Sequence, residues 1–258
     1  MPGACRQPRC VPRACPTRSD APARVPVILP DVYVPAHFKP DDADVRELLA
    51  NHGAADLITS TSRGLMATML PFVYDGPGSR PDAGEHGTLL GHVARNNDQW
   101  REPVQGEALV IVRGPDAYIT PSWYAAKREH GRVVPTWNYI TAHVYGRLVI
   151  HDDPAWVEAL VRRLTARHEA HRAEPWSVDD APPQYIEGQL RAIVGVELQI
   201  ERVEGKFKLS QNRSEADVDG VIAGLDESGE ARLASAMRKA RRTPDRQDTV
   251  GNREVRAR

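Results

Sequence analysis

Residues 134–150 read VPTWNYITAHVYGRLVI, and how this stretch folds decides how the rest of the chain must fold. After Pro135 it holds no further proline, and Ile140, Ala142, Val144, Leu148 and Ile150 alternate with Thr141, His143, Tyr145 and Arg147. A period of two is that of a half-buried strand, so the stretch is predicted as a long central strand. Gly146 falls where a side chain is due, which in a strand marks a bulge, a bend at a barrel corner or a close approach by backbone or ligand. At the entrance, Thr136, Trp137, Asn138 and Tyr139 put a hydroxyl, an indole, an amide and a phenol on consecutive residues beside a fixed proline. Such a group can stack on a flat ring and hydrogen-bond its edge; the same two aromatics also suit ordinary core packing.

Working outward, short strands are predicted at 56–61 and 65–73, joined by the turn Ser62-Arg63-Gly64, and at 88–93. Two more follow at 108–113, stopped by Gly114-Pro115, and at 117–120, stopped by Pro121. The last long strand, 193–209, alternates Val194, Val196, Leu198 and Ile200 against Gly195, Glu197, Gln199 and Glu201. Strands in succession without intervening helices make an antiparallel barrel pattern, not a parallel one. Helices surround it. One is capped by Asp41 or Asp42 and carries Val45, Leu48, Leu49 and His52 on one face; a turn of helix lies at 122–127. Others start at Pro154, span 182–190, and run from a Ser214 cap through Val218, Val221, Ile222 and Leu225. The fold class is therefore mainly β with peripheral helices.

Both ends differ from this pattern. Residues 1–30 hold seven prolines, five arginines, one acidic residue and all three cysteines, Cys5, Cys10 and Cys15, with no apolar periodicity, as in a disordered arm. A spacing of four residues between cysteines fits neither a zinc half-site nor an even-numbered disulfide framework, so no metal is expected. No apolar run suits a secretory leader or a bilayer span, and the expectation is a soluble cytoplasmic protein. Residues 231–258 carry nine Lys or Arg against three Asp or Glu. With a net charge of −1 for the whole chain, +4 at the start and +6 at the end leave about −11 for the middle. An acidic core is repelled by a phosphate backbone unless positive charge is concentrated locally.

Several chemistries find no motif here. There is no Gly-rich dinucleotide fingerprint, phosphate loop, His-Glu-x-x-His helix or G-x-S-x-G elbow. Three polar clusters stand at strand ends instead. His92, Arg95, Asn96 and Asn97 join an arginine fork to consecutive amides, which can cradle a phosphate or simply form a solvated loop. The second cluster is the Thr136–Tyr139 entrance. The third, Lys206 to Arg213, crowds cations and polar groups around Phe207 and Leu209, as a nucleotide site or a solvated turn does.

These segments occur together and in order. YVPAHF at 33–38, RGLMATMLPF at 63–72, GHVARNN at 91–97, SWYAAK at 122–127, VPTWNY at 134–139 and KLSQNR at 208–213 resemble the PaiB-type family of FMN-binding negative transcriptional regulators. The resemblance spans about residues 32 to 226. It implies an antiparallel split β-barrel of the FMN-binding type, with FMN as cofactor in clefts between the subunits of a homodimer. It divides the chain into an extension at 1–31, a split-barrel domain at 32–226 and a basic, disordered tail at 227–258. Val32 stands where an initiator would, so residues 1–31 are expected to come from an over-extended gene model.

The same resemblance implies that the isoalloxazine ring lies along Ala67, Thr68, Met69 and Leu70, and that His92, Arg95, Asn96 and Asn97 meet the flavin phosphate. Trp137, Asn138 and Tyr139, with Lys208, Gln211 and Arg213, would complete the pocket from either subunit. No residue is assigned a catalytic role: His92, His143 and Tyr139 are proton-transfer candidates without a visible partner. The family implies repression of transcription, with DNA as a partner, yet no helix pair with a basic second helix is evident inside the fold, and only Arg238 to Arg242 is densely basic. The alternative is a split-barrel oxidoreductase that uses FMN to reduce a small substrate.

Overall fold

The computed structural model describes residues 32–80 and 83–242. Expectations for residues 1–31 and for the tail beyond 242 lie outside the described residues. Six antiparallel strands, β1 (Ala54–Thr61), β2 (Gly64–Asp75), β3 (Thr88–Ala94), β4 (Ala108–Ile119), β5 (Thr136–His151) and β6 (Ile193–Lys208), close into a barrel in the order β1-β2-β3-β6-β5-β4. β5 lies between β4 and β6, as its length and alternation predict. Its inward residues Ala142 and Val144 meet Leu57, Leu70, Phe72, Leu89, Val110, Val112, Val196 and Leu198 in the barrel interior. Burying each of these apolar side chains is worth roughly 1.5–3 kcal/mol.

Gly146 meets its expectation. The β5–β6 register shifts between Tyr145 and Gly146, and a Cβ there would sit 2.0 Å from the Gln199 carbonyl oxygen. The strand therefore bends where only glycine lets the two backbones close. Gly114-Pro115 behaves differently from its expectation. The two strands predicted on either side are one strand, β4, because the pair forms a bulge between Arg113 and Asp116 instead of a stop. Proline at a bulge gives up no ladder hydrogen bond.

The helices cover part of the outer surface. In α1 (Asp42–Asn51) the Asp41 side chain accepts the Asp44 amide, and Leu49 is buried against the barrel core. The short α2 (Ala126–Glu129) follows β4. α3 (Pro154–Glu169) lays Leu160 and Leu164 on Val73 and Leu90, the outward residues of β2 and β3. α4 (Pro183–Arg191) leads into β6. α5 (Glu215–Glu227), capped by Ser214, packs on the ends of β4 and β5 through Val218, Val221 and Leu225.

The chain after Asp226 does not become a tail at once. It forms α6 (Ala231–Arg242), whose Leu233, Ala234 and Met237 are buried in the same cluster as α5. The basic composition hid three apolar residues at helical spacing, which suffice to dock a helix. Three of its cations are paired as well: Arg238 with Asp226, Lys239 with Asp44 and Glu47, and Arg241 with Asp219. The basic run is thus largely neutralised by α1 and α5.

Candidate functional site: a split in the barrel and a groove on its outer face

The barrel has a gap at β2. This strand pairs with β1 from Gly64 to Pro71, but with β3 only from Phe72 to Asp75. β3 runs on from His92 to Ala94 beside β6 alone. Over residues 64–71 the edge of β2 away from β1 has no partner strand among the described residues. Unpaired strand edges offer alternating N–H and C=O groups to whatever docks there. Leu65 and Met69 project outward at 79% and 72% exposure, with exposed Ala67 between them. An apolar edge so open is uncommon in a protein otherwise well packed.

At the mouth of the gap, β3 ends in the predicted phosphate cluster. Asn97 donates to Thr68 Oγ1 at 2.9 Å, and that hydroxyl donates to Gln99 Oε1 at 2.6 Å. Gln99 is buried and donates to Leu57 O, Thr59 Oγ1 and Met66 O, which ties the turn to the β1–β2 hairpin. His92, on the outer face of β3 with Leu90, has its Nδ1 buried and unpartnered, and burial holds its pKa below the ordinary histidine value. Asn96 is exposed.

Arg95 is heavily committed. Its Nε donates to Arg191 O at 2.7 Å, Nη2 to Ile193 O at 3.2 Å, and Nη1 and Nη2 to the two Asp152 carboxylate oxygens at 3.1 and 2.5 Å. A guanidinium has five N–H donors, so these four bonds leave one. The mutual hydrogen bonds of Arg95 and Asp152 hold Asp152 below, and Arg95 above, its ordinary pKa. A two-pronged grip on a phosphate at this corner requires Asp152 to give way.

The second predicted cluster lies elsewhere. Trp137 and Tyr139 point outward from β5 while Asn138, between them, points inward, fully buried and donating to Ser210 Oγ at 2.9 Å and Met237 Sδ at 3.6 Å. Trp137 donates its indole N–H to Asp116 at 2.7 Å and meets the Tyr118 ring edge-on, with centroids 6.2 Å apart. Both aromatics line an open groove of about 420 Å³ with Ile111, Arg113, Thr141 and His143. Burial lowers the His143 pKa; Glu204 opposes the shift and Lys206 adds to it.

Beside the groove, on β6, Lys208 donates to Thr136 Oγ1 and to the Trp137 carbonyl at 2.7 Å. Gln211 serves its own loop, accepting from Leu209 N and donating to Phe207 O, and Arg213 lies 4.7 Å over the Tyr124 ring. The β2 edge and Asn97 therefore come together at the split, and His92 stands on the stretch of β3 that β2 leaves unpaired. Trp137 on β5 lies three strand steps, or about 14 Å, around the barrel from β2, and Lys208 on β6 lies two steps away by way of β3. Asn138 and Gln211 spend their amides within the fold.

Sequence reasoning left out Arg113 and Asp116, which line this groove, and placed Lys206 in the third cluster without assigning it to the pocket. Strand alternation puts Lys206 on the face of Lys208. No signal existed for Asp116, whose position depends on the bulge. Among the described residues no helix is long and apolar enough to cross a membrane, and no group of three His, Cys, Asp or Glu is placed to hold a metal.

The gap fits a flavin by its own features. An unpaired backbone edge suits a ring edge of alternating donors and acceptors, exposed Ala67 and Met69 suit its apolar plane, and the orphaned His92 Nδ1 awaits a partner. Comparison with known proteins bears on the cofactor itself. Residues 32–202 match the family described as "Putative FMN-binding domain". Protease synthase and sporulation protein PAI 2 of Bacillus subtilis (strain 168) is 34% identical over 196 residues, which cover 75% of this chain and 89% of that protein. The uncharacterized protein AN0679 of Emericella nidulans is 34% identical over 192 residues, 64% of this chain and 76% of that protein. The chain belongs to the PaiB-type family of FMN-binding proteins, and FMN is its cofactor.

Proposed function

We propose that this chain is an FMN-binding homodimer that acts as a negative regulator of gene expression. The observation that carries the flavin reading is the open edge of β2 over Gly64–Pro71. Its backbone would hold the polar edge of the ring, and Ala67 and Met69 would flank the ring plane. His92, kept neutral by burial, can take part in one further hydrogen bond. The turn at Arg95–Asn97 would receive the phosphate, with Arg95 turning from Asp152 to do so. When bound, FMN would supply a one- or two-electron redox centre.

The dimer reading is supported by the outer face of β2 and β1, where Leu65 and Met69 stand uncovered by any helix among the described residues. A second subunit on this face would exclude water from the flavin. The regulatory reading is supported by the Bacillus subtilis relative, whose name ties it to protease synthesis and sporulation. Direct contact of α6 with DNA gains no support, since Arg238, Lys239 and Arg241 are matched by carboxylates.

A second reading, an oxidoreductase, draws on the groove at Trp137 and Tyr139, which is roomy enough for a small substrate. One experiment addresses both readings: the visible absorption spectrum of the purified protein before and after NADPH is added. The regulatory reading expects a flavin spectrum that NADPH leaves unchanged. Rapid bleaching would move the assignment to the oxidoreductase, and a colourless protein that FMN cannot reconstitute would overturn both.

A further inference from the structure

The β5–β6 corner holds a feature that the flavin reading does not use. Lys206 and Lys208 are two apart on β6, so their side chains leave the same face, opposite Thr141 and Tyr139 of β5. Neither has a carboxylate within ion-pairing distance among the described residues. Glu204, the nearest acid on the strand, is taken by Arg202 and by the Val32 amide. Each ammonium has three N–H donors. Lys206 spends one on Tyr33 O, and Lys208 spends two on Thr136 Oγ1 and Trp137 O, so three of the six remain.

These are built positions, not free arms. Two oxygen acceptors pin the Lys208 ammonium, and the Lys206 ammonium lies 5.6 Å from the Tyr33 ring and 6.0 Å from the Tyr139 ring. Burial, then Lys206 and Arg213, pulls the Lys208 pKa down, the response of a cation that lacks an anion beside it. The Trp137 indole N–H is already satisfied by Asp116, so Trp137 offers the groove its ring and no donor. Flat walls on one side and unspent cationic donors on the other define a ligand chemistry.

We propose that Lys206 and Lys208 form an anion-binding site for a second ligand, a flat aromatic ring bearing a phosphate or carboxylate, seated against Trp137 and Tyr139. This deepens the reading above only in giving the groove a ligand, and it leaves the flavin at the β2 edge. Aromatic walls supply stacking and the lysine pair supplies charge selectivity.

The test uses 1-naphthyl phosphate as the probe and 1-naphthol as its uncharged counterpart, titrated calorimetrically into the full chain with its flavin content measured by visible absorbance. The phosphate is expected to bind about tenfold tighter than the alcohol, with the preference shrinking as salt rises. Lys206→Gln and Lys208→Ala should each remove most of that preference, and Lys206→Gln should leave flavin content at the wild-type level. Lys206→Gln keeps the test open if Lys208→Ala folds poorly, because Lys206 makes a single exposed hydrogen bond. Equal binding of the two probes, or variants that keep the wild-type preference, would overturn the proposal. Loss of flavin from the lysine variants would overturn it too, since the pair would then serve FMN. A chain that never holds FMN but keeps the phosphate preference would sink the flavin reading and leave this one standing.

Discussion

Arg95 and Lys208 look alike in the sequence, each a cation in a polar cluster at a strand end, yet their corners of the barrel are in opposite states. Arg95 has four of its five N–H donors occupied, two of them by Asp152, and ties the end of β3 to the start of β6. Lys206 and Lys208 together keep three of six donors free and face no carboxylate. What separates the two is donor count, not charge. A cation saturated by the fold acts first as a brace, and one that keeps its donors can act on a ligand.

The widest test of this difference is the brace behind the lysine corner. Leu233 of α6 is fully buried beside Met237, which meets Asn138 on the inner side of the groove. Leu233→Ala should cost about 2–5 kcal/mol in urea denaturation, and a change under about 0.5 kcal/mol would show that α6 is not part of the folded unit. Next in size, Arg95→Ala should weaken FMN binding at least tenfold and lower the melting temperature, while Lys206→Ala changes neither. Full retention of flavin by Arg95→Ala would break the comparison at its saturated end. Asp152→Ala sharpens it further. Freeing two guanidinium N–H donors should tighten FMN severalfold in equilibrium dialysis, whereas weaker binding would mean that Asp152 positions Arg95 for the phosphate instead of competing with it.

The smallest effects concern the histidine at each corner. His92 and His143 both have folded pKa values below the ordinary 6.5, each chiefly through burial. The folded state therefore prefers them neutral, while the unfolded chain takes up protons near pH 6.5. Their contribution is complete above that pH and is lost as the pH falls below it, by at most about 1.4 kcal/mol per group per pH unit. His52, buried beside Arg167, adds in the same direction. The denaturation midpoint should fall between pH 7 and pH 5.5. In NMR titrations, Lys206→Ala should raise the His143 pKa and leave His92 unmoved; equal shifts at both would show that the corners are not independent.

Much of the barrel could be read in the chain because its signals are local. The alternation through 140–150 gave the central strand, Gly146 its bend, and Ser214 the cap of α5. Period two alone separates Trp137 and Tyr139 from Asn138, and it could have retired Asn138 as a ligand beforehand. Other features depend on distant partners. Arg95 is neutralised by Asp152, 57 residues away, and Lys239 by Asp44, 195 residues away. The split at β2 is a question of how far β3 follows it, which no residue type reports. Gly114-Pro115 reads as a stop in isolation and becomes a bulge only because β5 is long enough to span both halves of β4.

Amide hydrogen exchange, read by peptide mass spectrometry with and without FMN, tests the central claim most directly. The open edge of β2 should make alternate amides within residues 64–71 exchange fast in the flavin-free protein and slow markedly when FMN is added, with a smaller effect at 92–97. Unchanged exchange at 64–71, with protection appearing over 134–145 and 204–213 instead, would move the flavin to the groove and contradict the account.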